Sequence, residues 1–143
     1  MLLPQGSGKL PKLPQAPEIS VVDDDASVRT ALSRLVRSLG YVANTFASAE
    51  EFLKSEQLDT TTCLIADVQM PHISGLELQD LLRRQARQLP IIFITAFPEP
   101  NIRARAMNGG GIGFLAKPID GDLLIKHIHA AVAKTKTDPT NQA

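Results

Sequence analysis

The chain has 143 residues, 15 Lys+Arg, 15 Asp+Glu and a formal net charge of zero. That length predicts one domain, large enough to bury a core without staples. The single cysteine, Cys63, excludes an internal disulfide framework and a cysteine-based zinc site, and fits a reducing compartment. Balanced charge argues against a dedicated nucleic-acid or membrane-surface binder. No apolar run approaches the ~18 residues of a membrane span. The N-terminus lacks the apolar segment of a secretory signal. The expectation is a soluble cytoplasmic domain with no membrane association.

Residues 1–18 hold Pro4, Pro11, Pro14 and Pro17 among Gly6, Ser7 and Gly8, and read as a disordered Pro-rich leader. Ile19-Ser20-Val21-Val22 is short, apolar and followed by acids, so it predicts a buried first strand. Val28, Leu32, Leu35, Val36 and Leu39 recur at helical spacing, and Gly40 supplies the stop. Tyr41 to Phe46 predicts a second strand. Ser48-Ala49-Glu50-Glu51 has a capping-box pattern and opens a short helix. Thr62 to Ala66 predicts a third strand, ended before Pro71. Leu76, Leu78, Leu81 and Leu82 mark a helix over about 74–86. Ile91 to Ile94 is the most apolar strand. Pro98 to Asn108 predicts the fourth helix and Gly113 to Leu115 the fifth strand. Asp120 caps a last helix carrying Leu123, Leu124, Ile128, Ala131 and Val132. The ordered domain is expected over 19–133, with a flexible tail over 134–143.

Apolar strands alternating with helices imply an α/β fold. The expected form is a flavodoxin-like (βα)5 domain: a doubly wound, five-stranded parallel sheet with helices on both faces. Its site should lie at the carboxyl ends of the strands. There the sequence places Asp23, Asp24 and Asp25 after the first strand, Asp67 after the third, Thr95 after the fourth and Lys117 after the fifth. At ~4 Å and an effective dielectric near 20, each like-charge carboxylate pair costs roughly 4 kcal/mol. A rim of several ionised carboxylates therefore needs a cation, and hard oxygens without His or Cys suit Mg²⁺. An Asp beside that ion can attack phosphorus, and Lys117 can meet the developing charge. Taken singly, these residues have plainer readings. Asp25 or Asp24 can cap the first helix, Lys117 can be a surface lysine, and Thr95 a turn residue.

Val21-Val22-Asp23-Asp24-Asp25, Asp67-Val68-Gln69-Met70-Pro71, Ser74-Gly75-Leu76-Glu77-Leu78, Ile94-Thr95-Ala96 and Lys117-Pro118 resemble a bacterial two-component response-regulator receiver, a CheY-like domain. The run from Asp67 to Leu78 is similar to the FixJ-like branch. The resemblance covers roughly 19–133. It implies that Asp67 is the phosphoacceptor. It implies that Asp23, Asp24, Asp67 and the backbone carbonyl of Gln69 hold Mg²⁺. Thr95 would bond the phosphoryl group after transfer, Lys117 would pair with it, and Phe114 would be the switch aromatic. A cis peptide is implied at Lys117-Pro118. Gly75 falls where the chain turns after the third strand.

Four glycines between Asn108 and Gly113 depart from the family's usual pattern, and loop tolerance is the simpler reading. Gln69 and Phe97 occupy positions that in the family tune how water reaches the phosphoryl group. Phe97 should crowd that water, or else pack under the fourth helix; Gln69 should hydrogen-bond it. His72 reads as solvated. His127 and His129 are two apart on a helix, so they face apart and make no ligand pair. Arg83, Arg84 and Arg87 read as a solvated face, and Cys63 as core.

Three function classes follow. The first is a phospho-switch. A sensor histidine kinase or small phosphodonor loads Asp67, adding roughly −1.5 to −2 of charge. The face of the fourth helix, fifth strand and fifth helix then binds a downstream protein or a second copy. It is a signalling domain rather than an enzyme. The second is the N-terminal receiver of a FixJ-like DNA-binding regulator, in which case this chain alone should not bind DNA. The third is a haloacid-dehalogenase-type phosphatase using Asp23 and Asp25. That reading leaves Asp67 and Met70-Pro71 unexplained and has no room for a cap.

Overall fold

The computed structural model describes residues 16–136. β1 (Glu18–Val22) leads to α1 (Ala26–Ser38), β2 (Val42–Phe46) and α2 (Ala49–Leu53). A 3-10 turn at Glu56–Leu58 enters β3 (Thr61–Asp67), followed by α3 (Gly75–Arg84) and β4 (Ile91–Thr95). α4 (Pro100–Asn108), β5 (Gly113–Ala116) and α5 (Gly121–Lys136) complete the order. All five strands are parallel, in the order β2-β1-β3-β4-β5. The order reverses between β1 and β3, so their carboxyl ends open a crevice there. This is the doubly wound sheet that the sequence predicts.

The period-two alternation of the strands divides one apolar run between two cores. Ile19, Val21, Cys63, Ile65, Ile92 and Ile94 face α1 and α5, where Leu32, Val36, Leu124 and Ile128 meet them. Val22, Leu64, Ala66, Ile91 and Phe93 face the other side, against Phe52, Leu76, Leu78, Leu82 and Ala106. Cys63 is fully buried, and burial pushes its thiol up to about 12. It is core, not a reactive thiol.

β1 and α5 each reach beyond the residues that the sequence assigns to them. Glu18 belongs to β1, and Pro17 accepts a hydrogen bond from the Val42 amide at 3.0 Å. Glu18 Oε1 accepts from Asn44 Nδ2 and Thr60 Oγ1, which fastens the start of the strand. Lys134 to Lys136 continue α5. The remaining leader, 1–15, and tail, 137–143, lie outside the described residues.

Capping fixes where the helices begin. Asp25 caps α1, accepting from the Ser27 amide at 2.9 Å and the Ser27 hydroxyl at 2.7 Å. Ser48 accepts from the Glu51 amide, while Glu51 reaches past it to the Ala47 amide, so the expected box is displaced by one residue. The full capping box forms at α3 instead, between Ser74 and Glu77. Asp120 accepts from the amides of Asp122 and Leu123 at the start of α5, as expected. α4 begins at Pro100 rather than Pro98.

Candidate functional site

The carboxyl ends of β1, β3, β4 and β5 bring the predicted residues together. Asp67 ends β3 and is buried, its side chain only 6% exposed; Asp23, just beyond β1, is fully buried. Lys117, after β5, reaches across the rim. Its Nζ lies 3.0 Å from Asp23 Oδ2 and 3.3 Å from Asp67 Oδ2. The peptide bond from Lys117 to Pro118 is cis. Asp24 is exposed at the mouth, and the carboxylates of Asp23, Asp24 and Asp67 offer ligand oxygens within 4.8 Å of one another.

The two buried carboxylates are held in place. Asp23 Oδ1 accepts the Asp25 amide at 2.8 Å, and Arg29 donates to the Asp23 carbonyl at 2.8 Å. Asp67 Oδ1 accepts the Gln69 amide at 3.2 Å. The amino end of α3 packs against the Asp67 backbone. A Cβ at Gly75 would overlap the Asp67 carbonyl oxygen. Gly75 is thus set by a close approach, not by a tight turn.

The electrostatics follow from this crowding. Burial, then the neighbouring Asp23 charge, push Asp67 up to about 6 against the opposing pull of Lys117. Burial lowers Lys117, but the Asp23 hydrogen bond and the charges of Asp67 and Asp23 outweigh it and hold the ammonium above its ordinary value. Asp23 Oδ2 forms that ion pair yet has no other hydrogen-bond partner among the described residues. An under-coordinated buried carboxylate oxygen beside two further carboxylates, with no nitrogen or sulfur donor in the cluster, fits a hard divalent cation such as Mg²⁺. Asp25 stands apart: the Ser27 hydroxyl and amide hold its carboxyl below the ordinary range, and its role is the α1 cap.

Thr95 closes the rim from β4 and is fully buried. Its hydroxyl accepts the Phe97 amide at 2.9 Å and donates to Gln69 Oε1 at 2.7 Å. The Gln69 side chain is therefore tied to Thr95 rather than free to orient a water. Phe97 is 63% exposed and does not pack under α4. Phe114, on β5, lies inward at 8% exposure. Arg103 of α4 stands 5.9 Å from its ring centroid and donates to its carbonyl at 3.4 Å. Arg29 and Arg103 escape a reading of the sequence, because each contact joins a helix to another element at no fixed spacing.

These features meet in a known family. Residues 19–129 match the response regulator receiver domain. The chain belongs to that family. Nodulation protein W of Bradyrhizobium diazoefficiens is 44% identical over 121 residues, spanning 84% of this chain and 52% of that protein. The transcriptional regulatory protein TdiR of Thauera aromatica is 38% identical over 122 residues, 85% of this chain and 54% of TdiR. The chain thus spans about half the length of these relatives. Among solved structures, the response regulator StyR superposes with a TM-score of 0.79 at 38% identity, covering 89% of this chain and 66% of that one. FixJ-N superposes with a TM-score of 0.75 at 30% identity, over 84% of this chain and 96% of that one. The protein is a receiver domain of two-component signal transduction, which overturns the phosphatase alternative built on Asp23 and Asp25. No helix among the described residues is long and apolar enough to cross a membrane.

Proposed function

We propose that Asp67 accepts a phosphoryl group and that the domain switches a protein-contact face in response. The observation that carries this reading is the buried Asp67 carboxylate, held between the Gln69 amide and the Lys117 ammonium at the mouth of an acidic cluster. An Asp67 oxygen attacks phosphorus, and the bond from phosphorus to the donor's nitrogen or oxygen breaks, with the electron pair leaving on the donor. Asp23, Asp24, Asp67 and the Gln69 backbone carbonyl would hold Mg²⁺. The ion, when bound, offsets carboxylate repulsion and developing phosphoryl charge. Lys117 is placed to balance the same charge from the side of β5. Thr95 then bonds a phosphoryl oxygen, and Phe114 reports its movement to α4.

The donor is a sensor histidine kinase or a small phosphodonor. The switched face is that of α4, β5 and α5, which binds a downstream protein or a second copy. The domain assists only its own loading and unloading, is cytoplasmic, and does not bind DNA alone. The names of TdiR and of FixJ as transcriptional regulatory proteins, together with their greater length, favour a second reading. In it the chain is the receiver part of a DNA-binding regulator, and a reading frame that continues past Ala143 into a helix-turn-helix segment would support it.

The test of the central reading is intact mass after incubation with acetyl phosphate. One added phosphoryl, seen with Mg²⁺ and lost in excess chelator, is the expected result. Equal labelling with and without chelator would exclude the metal-dependent mechanism.

A further inference from the structure

Gln69 touches the acceptor and Thr95 at once. Its amide donates to Asp67 Oδ1, while its side-chain oxygen takes the Thr95 hydroxyl hydrogen at 2.7 Å. Thr95 is completely buried, and its other polar contact, the Phe97 amide, occupies the hydroxyl as acceptor. A hydroxyl has one hydrogen to give. In this arrangement it is given to Gln69, so Thr95 cannot also donate it to a phosphoryl oxygen on Asp67. We propose that the Gln69 side chain is a positioning residue that latches Thr95 in the resting state. On this proposal, loading of Asp67 requires the Thr95 hydroxyl to exchange Gln69 Oε1 for a phosphoryl oxygen. The inference rests on the reading of Asp67 as phosphoacceptor.

The burial of the two partners sets the strength of the latch. Gln69 is exposed, so its released amide oxygen is hydrated at once. Thr95 is buried, so its hydroxyl cannot turn to water and must hold one protein partner or the other. The exchange trades a neutral hydrogen bond for a charge-assisted one, which favours the loaded state once phosphoryl is present. Before that, the latch holds a population of receivers unready, and ligand affinity falls by that fraction. The residue at 69 thereby sets how easily the domain is switched, through its side chain, while its backbone keeps the roles assigned above.

Beryllofluoride with Mg²⁺, a stable phosphoryl stand-in, tests this by ¹⁹F NMR titration of wild type, Gln69→Ala, Thr95→Val and the double variant. Gln69→Ala keeps the backbone amide and carbonyl and removes only the acceptor. The latch predicts roughly fivefold tighter binding in Gln69→Ala, and no effect of the same change in the Thr95→Val background. Equal or weaker binding in Gln69→Ala, or a gain that persists without the Thr95 hydroxyl, overturns the latch while leaving the phosphoacceptor reading intact. A wild type that binds no beryllofluoride at all overturns both.

Discussion

At Asp67 burial and the Asp23 charge oppose the pull of Lys117, and their balance is measurable. The carboxyl rises from 3.8 to about 6 on folding, so the native state holds its proton more tightly than the unfolded chain does. Its favourable contribution is complete below 3.8, declines as pH rises towards 6, and is lost above that. Asp67→Asn removes the dependence. The variant should gain stability relative to the metal-free wild type as pH rises from about 4 to about 7, by on the order of 1 kcal/mol after solvent screening. Urea denaturation of both proteins across that range measures it; a constant difference would mean that burial and Asp23 do not act on this carboxyl. Sequence placed Asp23, Asp67, Thr95 and Lys117 on one rim because each follows a strand. The resemblance assigned Asp23 and Asp24 to the cation, while the residues alone left open whether Asp24 or Asp25 caps the first helix. What separates them is local: Ser27 takes Asp25 as a cap, while burial and Lys117 take Asp23. The Gln69–Thr95 bond spans 26 positions in the chain, and no spacing rule reaches that far.

The elements were legible where periodicity and capping agree, and less so at their ends. α1 ends in a Schellman motif: the amides of Gly40 and Tyr41 donate to the carbonyls of Arg37 and Val36, with Gly40 at φ +88°. The glycine run after α4 has the same origin. Gly110 at φ +106° and Gly111 donate to Met107 and Ala106, and a Cβ on Gly111 would press within 2.8 Å of the Ala106 carbonyl oxygen. Loop tolerance is therefore not the reason for that run. α3 closes with the same two bonds, from Ala86 to Arg83 and from Arg87 to Leu82, but with alanine at φ +59°. Ala86→Gly should raise stability by about 1 kcal/mol in denaturant unfolding, since glycine takes that conformation without strain; a loss would show that alanine's stiffer unfolded chain dominates. At the other end of α3, Gly75→Ala forces the helix off the Asp67 carbonyl. It should cost roughly 1–3 kcal/mol and, on the proposed role of Asp67, slow acetyl phosphate labelling severalfold, because it moves that carboxylate. Wild-type labelling in a destabilised variant would uncouple packing from function.

Across the whole molecule, stability is unevenly distributed in a way that suits a switch. β1, β3 and β4 are buried on both faces and carry the acidic residues and Thr95 of the site. α4 buries only Ala106, lacks a side-chain N-cap, and is held by Arg103 at Phe114, by the exposed Arg105–Asp80 pair and by Gln79 bonding the Ala106 carbonyl. Few buried contacts mean low local opening free energy. Amide exchange should be fastest in α4 among the helices of comparable length, and should slow there when beryllofluoride is bound; protection equal to that of α1 and α5 would place the mobile element elsewhere. The scarcity of apolar residues in α4 is legible in its sequence, whereas its anchors from α3 and β5 follow no spacing rule. The parallel, doubly wound sheet, by contrast, followed from the alternation of apolar strands and helices together with the right-handed crossover rule.

The most direct measurement locates the phosphoryl group. After loading with acetyl phosphate and Mg²⁺, borohydride reduction converts an acyl phosphate to an alcohol, and peptide mass spectrometry reads its position. The account predicts conversion at Asp67 alone and none in Asp67→Asn. Conversion at Asp23 or Asp24, or undiminished labelling of Asp67→Asn, would contradict it.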